Sequence, residues 1–304
     1  MKHLFIINPA AGKYDRTAEY SEQIERTFKN RGTEYEIAVT SAPGDAQKIA
    51  RKAAERGEEL RIYACGGDGT LNGVINGVVG FENVAVTHFP GGSGNDTIKI
   101  FSETEPFFDL NRLLDCEEAK LDLIRCNENY SINIVSVGLD ARVCAGQTRY
   151  KRLPFISGHG AYALSLAENL LKGLAKPMQI VVDDTLTLNG QQTLACVCNG
   201  RCYGGGYYPV PEAEPDDGIL DVLVVKKVPL IKAPGLLKLY QFGNYRMAPE
   251  DILHYRCKKI TVKTPQPSVV NLDGEIVLTD CAEMSVVPGA LRFFYPKGLH
   301  YHQK

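Results

Sequence analysis

Three glycines surround a carboxylate at residues 66–70, where the sequence reads Gly-Gly-Asp-Gly-Thr. Glycine lacks a Cβ, so its backbone N–H groups can approach a ligand closely. The segment lies between an apolar strand pattern at 60–65 and a helical pattern that begins at Leu71, and helix N-termini favour anions. Asp68 would repel a phosphate group unless a cation or a catalytic role offset its charge. We therefore expect nucleotide and Mg²⁺ chemistry at this segment.

Two further glycine-containing loops each follow a strand pattern. Residues 8–13 read Asn-Pro-Ala-Ala-Gly-Lys, which departs from the spacing of a Walker A loop and also suits an ordinary turn between strand and helix. Residues 90–96 read Pro-Gly-Gly-Ser-Gly-Asn-Asp and add the hydroxyl of Ser93 to exposed backbone N–H groups. Asn95 or Asp96 could instead cap the next helix. Both loops are candidates for binding phosphate.

Acidic residues recur in the second half of the chain. Asp273 and Glu275 alternate with Leu272, so they could share one face of a strand, although Asp-Gly is also a common hairpin turn. A carboxylate near an acceptor hydroxyl suits phosphoryl transfer. The segments 203–206 and 215–218 frame a loop that could be structural or could hold a hard cation such as Mg²⁺ or Ca²⁺.

The elements that must position these residues fall into two groups. Apolar runs at 4–8, 35–40, 61–65 and 84–89 alternate with helical patterns at 15–31 and 45–56. This order predicts an α/β nucleotide-binding domain at 1–126 with a largely parallel sheet. Ligands of such sheets bind at the carboxyl ends of the strands. The loops 8–13, 40–45, 66–70 and 91–96 should therefore converge.

Beyond residue 130, strand patterns follow one another with few helices between them. They lie at 131–138, 178–184, 193–199, 219–227, 258–264, 269–276 and 284–287, with helical patterns at 160–174 and 230–242. We expect an antiparallel β domain of sandwich type at 127–290, larger than the first domain. Residues 291–296 form one more apolar strand.

Composition narrows the class of protein. The chain has 304 residues, of which 44% are hydrophobic and 23% charged, as in ordinary globular proteins. A net charge of −2 gives no argument for a nucleic-acid partner. No apolar run could span a bilayer, and nine scattered cysteines predict reduced thiols in the cytoplasm. Cys196, Cys198 and Cys202 lack the further ligands of a zinc site.

Taken together, these motifs resemble the soluble diacylglycerol/lipid kinases, whose catalytic domain is shared with sphingosine and ceramide kinases. The resemblance implies that the active site lies in a cleft between the two domains and that residues 291–304 return to the first domain. It rests on motifs that begin at Asn8, Gly66, Gly92, Leu121, Asn133, Gly138, Asp217 and Asp273.

The resemblance also implies roles for individual residues. Glu275 would be the general base and Asp68 would orient Mg²⁺ and the phosphates, and Asp96, Asp122 and Asp273 would complete the catalytic set. A structural Mg²⁺ would be held by Glu214, Asp217 and Ile219, partly through main-chain carbonyls. The ATP site would comprise Asn8, Pro9, Ala10, Ala11, Gly12, Thr40, Gly66, Gly67, Asp68, Gly69, Thr70, Leu71, Asn72 and Ser93.

Two positions depart from the family pattern. Ser93 stands where threonine is usual, and a hydroxyl is retained. The residues after Asp96 are Thr97, Ile98 and Lys99, in place of an aromatic and a small residue. This second departure concerns the part of the site nearest the substrate.

We expect an ATP- and Mg²⁺-dependent kinase that phosphorylates a lipid hydroxyl, with diacylglycerol as the favoured acceptor. One alternative is an NAD kinase-like enzyme, which shares the Gly-Gly-Asp-Gly-Thr turn but lacks the Asn-Pro and Asp-Gly-Glu motifs. Another is a nucleotide-binding regulator without catalysis, against which the retained acidic residues argue. A homodimer is compatible with the sequence but is not required by it.

A basic segment bears on where the protein meets a lipid. Residues 226–263 hold nine basic and two acidic residues, interleaved with apolar ones. Together with Arg149, Lys151 and Arg152, this segment could dock a cytoplasmic protein peripherally on anionic headgroups. Alternatively, it forms a solvated helix face whose apolar side packs on the β domain.

Overall fold

The computed structural model describes residues 1–29, 31–92, 94–150 and 158–301. Ser93, Lys151 and Arg152, which were singled out above, lie outside the described residues.

The N-terminal region alternates strands and helices, as its sequence predicts. Strands β2, β1, β3 and β4 lie side by side in this order and all pair in parallel. The prediction of a parallel α/β sheet is therefore confirmed. The elements are β1 (Lys2–Ile7), α1 (Thr17–Phe28), β2 (Tyr35–Val39), α2 (Asp45–Ala54), β3 (Leu60–Gly66), α3 (Asp68–Val78) and β4 (Val84–Pro90).

The rest of the chain is mostly antiparallel, which confirms the second part of the predicted fold. Two helices follow one another after β7, and a third lies between β10 and β11. The elements are α4 (Leu110–Leu114), β5 (Cys116–Cys126), β6 (Asn129–Ser131), β7 (Ile134–Gly138), α5 (Leu139–Tyr150), α6 (Gly158–Leu171), β8 (Lys176–Val182), β9 (Leu186–Cys198), β10 (Leu220–Lys226), α7 (Ala233–Gln241), β11 (Ile252–Cys257), β12 (Lys259–Leu272) and β13 (Glu275–Pro296).

Strand β13 joins the two regions. It pairs antiparallel with β12 and β5, and its residues Arg292 and Phe293 pair in parallel with Ala85 and Val86 of β4. One hydrogen-bonded sheet therefore runs through both regions. The strand begins at Glu275, so the same element that is anchored in the N-terminal sheet also carries the predicted base.

The far end of β13 is fixed by packing in the N-terminal core. Phe293 and Phe294 are fully buried. The ring of Phe294 meets Tyr63 of β3 edge-on at 5.0 Å between centroids, and Tyr63 stacks on Phe5 of β1 at 4.2 Å. Burying each phenylalanine side chain stabilises the fold by about 2 kcal/mol. No helix in the described part of the chain is long and apolar enough to cross a membrane.

Several elements differ from the prediction: α4 and β11 were not predicted, and the strand predicted at 269–276 contains the turn between β12 and β13. The strand predicted at 131–138 is broken into β6 and β7, because the backbone between them turns to donate hydrogen bonds to Asp273. Helix α5 was not predicted, since its residues include glycine, threonine and cysteine, which are weak helix formers. Strand β5 was not predicted because its first half is charged.

Candidate active site

A cleft of about 1000 Å³ lies between the two regions of the fold. One wall consists of the loops at the carboxyl ends of β1, β2, β3 and β4, which converge as the parallel sheet predicts. The opposite wall consists of the β12–β13 turn, one face of α5 and the loop at 203–207. Of the residues predicted for the site, those that line the cleft are Asn8, Pro9, Ala10, Ala11, Gly12, Thr40, Gly67, Asp68, Gly69, Thr70, Asn72, Asp96, Asp273 and Glu275.

Other predicted residues do not line the cleft. Leu71 is fully buried in the N-terminal core, so its side chain supports α3. Gly66 ends β3, and its carbonyl accepts a hydrogen bond from the backbone N–H of Gly91 at 2.7 Å. The remaining residues of this group are Asp122, Glu214, Asp217 and Ile219.

The glycine loops on the first wall touch one another through their backbones. A Cβ added to Gly92 would lie 2.5 Å from the Cα of Gly67, and one added to Gly12 would lie 2.6 Å from the carbonyl oxygen of Gly91. Gly12 also has a φ of +80°, which L side chains rarely adopt. A side chain at Gly92 or Gly12 would therefore collide with the backbone of the neighbouring loop.

Asn8 attaches the first loop to the start of α3. Its Nδ2 donates to Oγ1 of Thr70 at 3.0 Å, and its Oδ1 accepts from the N–H of Ala10 at 3.0 Å. Helix α3 begins after Gly67, and its N-terminus lines the same wall of the cleft as this loop. The positive end of a helix dipole favours an anion here. The wall is therefore suited to bind phosphate.

Asp68 is held inside the first turn of α3. Its Oδ1 accepts a hydrogen bond from the backbone N–H of Asp96 at 2.6 Å. Burial raises the pKa of Asp68 and the charge of Asp96 raises it further, although His88 opposes the shift. Two carboxylates from neighbouring loops therefore share a site with little water, which is an environment that favours a cation.

His88 is a site residue that the sequence reasoning missed. It lies on β4, fully buried, with its Nε2 2.9 Å from the carbonyl oxygen of Gly66. Burial lowers the pKa of His88, although the charge of Asp68 opposes the shift, and Nε2 donates to that carbonyl. His88 thereby braces the turn that presents Asp68. A histidine within an apolar strand pattern carries no signal of such a role.

Asp96 is held from three sides. Its Oδ1 accepts from Nζ of Lys99 at 2.7 Å, and its Oδ2 accepts from the backbone N–H of Gly205 at 3.0 Å. The sulfur of Cys202 lies 3.7 Å from Oδ1. The loop that begins with the glycine segment at 203–206 was considered above as a cation site. In the structure, this segment instead binds Asp96 through the N–H of Gly205. The short helix Thr97–Ile100 that follows receives no side-chain cap from Asp96.

Two of the predicted acidic residues, Asp122 and Asp273, accept hydrogen bonds from backbone segments that are distant in sequence. Both oxygens of Asp122 accept backbone N–H groups at 2.7 Å, from Gly218 and Gly289. Asp273 accepts from Ile132 at 2.7 Å and from Ile134 at 2.8 Å, and also from the N–H between them. These contacts are those of positioning residues. The catalytic roles expected for Asp122 and Asp273 stay predictions.

The loop predicted to hold a structural Mg²⁺ has a different arrangement. Asp217 pairs with the guanidinium of Arg256 and accepts the N–H of Ile219 at 2.9 Å. Among the described residues, no cluster of three or more His, Cys, Asp and Glu side chains could hold a metal ion. Arg256 already neutralises the side chain of Asp217. The metal site expected at Glu214, Asp217 and Ile219, partly through main-chain carbonyls, stays a prediction.

Glu275 comes from the opposite wall to meet the phosphate-binding loops. The two-residue turn at Asp273 and Gly274, with φ values of +51° and +99°, places Glu275 at the first position of β13. A Cβ added to Gly69 would lie 3.2 Å from Oε1 of Glu275. The carboxylate therefore lies against the first turn of α3, and its side chain is exposed to the cleft.

Part of the cleft is lined by one face of α5. Asp140, Val143, Cys144 and Gln147 follow the spacing of a single helix face, and Tyr207 lies across from them. This surface combines apolar and polar groups, which suits a molecule with a hydroxyl on an apolar body.

Asp140 lies at the first turn of α5 and is tied to two strands. Oγ of Ser136 donates to its Oδ2 at 2.6 Å, and Nδ2 of Asn271 approaches the same oxygen at 3.3 Å. Burial raises the pKa of Asp140, although these hydrogen bonds oppose the shift. Asp140 belongs to the motif that begins at Gly138, and no role was predicted for it.

Comparison with known proteins agrees with this architecture. Residues 2–126 match the diacylglycerol kinase catalytic domain. Residues 133–295 match the family described as the YegS C-terminal NAD kinase beta sandwich-like domain. A solved structure described as a "putative diacylglycerol kinase" from Bacillus anthracis strain Sterne has a TM-score of 0.74 at 24% identity and covers 97% of both chains. This likeness supports the fold.

Sequence relatives extend over most of the chain. A protein of Staphylococcus epidermidis (strain ATCC 12228) that bears the name "Putative lipid kinase" is 29% identical over 234 residues, 76% of this chain and 75% of its own length. A protein of Staphylococcus aureus (strain MSSA476) with a similar name is 27% identical over 262 residues, 84% and 85% of the two chains. Residues 133–295 are more than half of the chain, so the chain belongs to the family of the YegS C-terminal domain. It also carries the diacylglycerol kinase catalytic domain and is a lipid kinase.

Proposed function

We propose that this lipid kinase transfers the γ-phosphoryl group of ATP to a lipid hydroxyl, with diacylglycerol as the acceptor and phosphatidic acid as the product. One observation carries the proposal. The carboxylate of Glu275 lies against the first turn of α3, so a candidate base from one wall meets a phosphate-binding turn from the other. A reaction between two substrates needs such a meeting point.

The nucleotide is assigned to the wall made of glycine loops. The N-terminus of α3 and the loops at residues 8–12 and 66–70 beside it would bind the phosphates and spread their charge. The contacts between Gly67 and Gly92 and between Gly12 and Gly91 keep these loops rigid. A rigid arrangement of N–H donors needs little reorganisation when charge moves during phosphoryl transfer.

Asp68 is the side chain suited to hold Mg²⁺ beside these phosphates, and Asp96, which is paired with Lys99, lies next to it. Mg²⁺ in kinases is bound by one or two carboxylates together with phosphate oxygens, and when bound it neutralises phosphate charge. The raised pKa of Asp68 reflects burial and the nearby charge of Asp96, which a cation would relieve. Lys99 and Gly205 fix the orientation of Asp96.

The acceptor is assigned to the wall formed by α5 and the β12–β13 turn. Its apolar and polar groups match a glycerol hydroxyl attached to acyl chains, with Asp140 at the polar end. Glu275 would take the hydroxyl proton as the oxygen attacks the γ-phosphorus, and the leaving group would be ADP.

A transfer experiment with γ-³²P-ATP and Mg²⁺ tests the proposal. Mixed micelles would present diacylglycerol, a polyprenol or phosphatidylglycerol, and NAD would be offered separately because the C-terminal match is to an NAD kinase-like domain. We expect label in phosphatidic acid. Label in another lipid would keep the reaction and change the acceptor. Label in NAD alone, or in no acceptor, would overturn the proposal.

A further inference from the structure

The segment that contains α7 is strongly basic, although the chain as a whole carries a net charge of −2. Between Asp221 and Glu250 there are five basic residues and no acidic one. Lys232 lies 3.5 Å from Asp251, and Arg246 pairs with Glu212. The other three, Lys226, Lys227 and Lys238, have no salt bridge within the described residues.

The same segment exposes large apolar side chains. Ile231 is 90% exposed, Met247 75%, Leu230 60% and Phe242 54%. The inward side of α7 is buried through Leu236 and Tyr240. The segment therefore packs on the β domain with one side, as the alternative interpretation of the sequence expected, and presents basic and apolar residues on the other. We name this outward side, formed by residues 226–247, the α7 surface.

The inward side of α7, behind the α7 surface, packs against the part of the cleft that the loop at 203–207 lines. The hydroxyl of Tyr240 on α7 lies 2.9 Å from the hydroxyl of Tyr203. Tyr203 and Tyr207 both line the cleft, and the ring of Tyr207 lies 6.4 Å from that of Tyr240. Tyr208, next in sequence, hydrogen bonds through its N–H to the carbonyl of Gln241 at 2.8 Å. The cleft wall and α7 are thus directly connected.

We propose that the α7 surface docks the protein on an anionic lipid bilayer, so that the acceptor end of the cleft faces the membrane. Unpaired lysines complement acidic headgroups, while exposed Ile231 and Phe242 can enter the interfacial layer. Charge complementarity favours this occupant over a second copy of the chain, whose α7 surface carries the same charge. The purpose of this docking rests on the proposed function, whereas the binding of the protein to vesicles can be measured independently of it.

Vesicle binding with two surface variants tests the proposal. One variant combines Lys226→Gln, Lys227→Gln and Lys238→Gln, and the other combines Ile231→Ser and Phe242→Ser. Their side chains are exposed, so the fold should be retained. Matched controls away from the α7 surface are Lys29→Gln with Lys52→Gln, and Phe108→Ser, which is 46% exposed. Binding is measured by sedimentation with vesicles of phosphatidylcholine alone or with one third phosphatidylglycerol.

We expect the unaltered protein to bind the anionic vesicles, more weakly as salt rises. Each lysine removed should weaken binding roughly fivefold at low salt, so the triple variant should lose on the order of 100-fold. The Ile231→Ser, Phe242→Ser variant should lose at least about tenfold, and the controls should remain within about twofold. Equal losses in the controls, or no binding by the unaltered protein, would overturn the proposal.

Two further measurements separate this inference from others. Turnover of a short-chain diacylglycerol dispersed as monomers should be the same in both surface variants as in the unaltered protein. If lipid is phosphorylated but vesicle binding is unchanged in the variants, the docking surface fails and the function stands. If the surface behaves as expected but no lipid is phosphorylated, the function fails instead. A dimer that the variants dissociate would assign the surface to a second copy.

Discussion

The two walls of the cleft are built in different ways. In the first wall, the loops that follow β1, β3 and β4 touch one another through their backbones at Gly12, Gly67 and Gly92. The second wall is made of side chains that come from distant segments, with Asp140 on α5, Tyr207 in a loop and Glu275 on β13. The first wall suits a constant partner such as phosphate, whereas the second can vary with the acceptor.

This difference predicts how each wall responds to substitution. A change on the backbone wall should affect nucleotide binding with every acceptor. A change on the side-chain wall should affect turnover or acceptor choice and leave nucleotide binding intact.

Asp68→Asn should give the largest loss on the first wall. Removing a charge that stabilises phosphoryl transfer typically lowers kcat by about 10³-fold. ATP affinity should fall in Mg²⁺ and change little in EDTA. Initial rates and calorimetric titration measure both, with the exposed Asp280→Asn as the control. Activity within tenfold of the unaltered enzyme would contradict the role given to Asp68.

Gly92→Ala should show how rigid the backbone wall is. Its Cβ would lie 2.5 Å from the Cα of Gly67, so one loop must move. We expect nucleotide affinity to fall by at least about tenfold and the free energy of unfolding by about 1–3 kcal/mol. Gly235→Ala in α7 is the control, because nothing lies within 4 Å of its added Cβ. Urea unfolding and nucleotide titration are the measurements. Similar results for Gly92→Ala and Gly235→Ala would contradict the close backbone packing of the first wall.

The pH dependence of kcat/KM should report the ionisation of Asp68 and the influence of the charge of Asp96 on its pKa. Asp68 acts as a carboxylate, so activity is lost as the pH falls through its pKa. Burial and the charge of Asp96 raise that pKa above the ordinary aspartate value. The acidic limb should therefore lie above that value and move to lower pH in Asp96→Asn, which removes a like charge. A limb that moved to higher pH would contradict this electrostatic account.

Asp217→Asn should have the smallest effect. Asp217 pairs with Arg256, whose side chain is 56% exposed, so the pair contributes less than about 1 kcal/mol. The melting temperature should fall by about 2 °C, equally in Mg²⁺ and in EDTA. A loss confined to Mg²⁺ would instead support the structural cation that the family resemblance implies at Glu214, Asp217 and Ile219.

The sequence predicts the backbone wall better than the side-chain wall. Glycine motifs after apolar strands indicate both the parallel sheet and the loops that converge on Asp68, because strand order alone brings these loops together. Helix α5 could not be predicted, since its stability comes from packing against α6 and not from propensity. His88 gains its role from Gly66, a neighbour distant in sequence, and Asp140 from Ser136 together with the distant Asn271.

Glu275→Gln tests most directly whether a base on the side-chain wall acts in phosphoryl transfer from a nucleotide bound at the backbone wall. The amide keeps the size of the side chain and removes its ability to take a proton. With Glu283→Gln on the same strand as the control, we predict a loss in kcat of about 10²–10⁴-fold, with ATP affinity unchanged. Phosphorylation of lipid at an undiminished rate, or loss of ATP binding together with turnover, would contradict the assignment of Glu275 as the base.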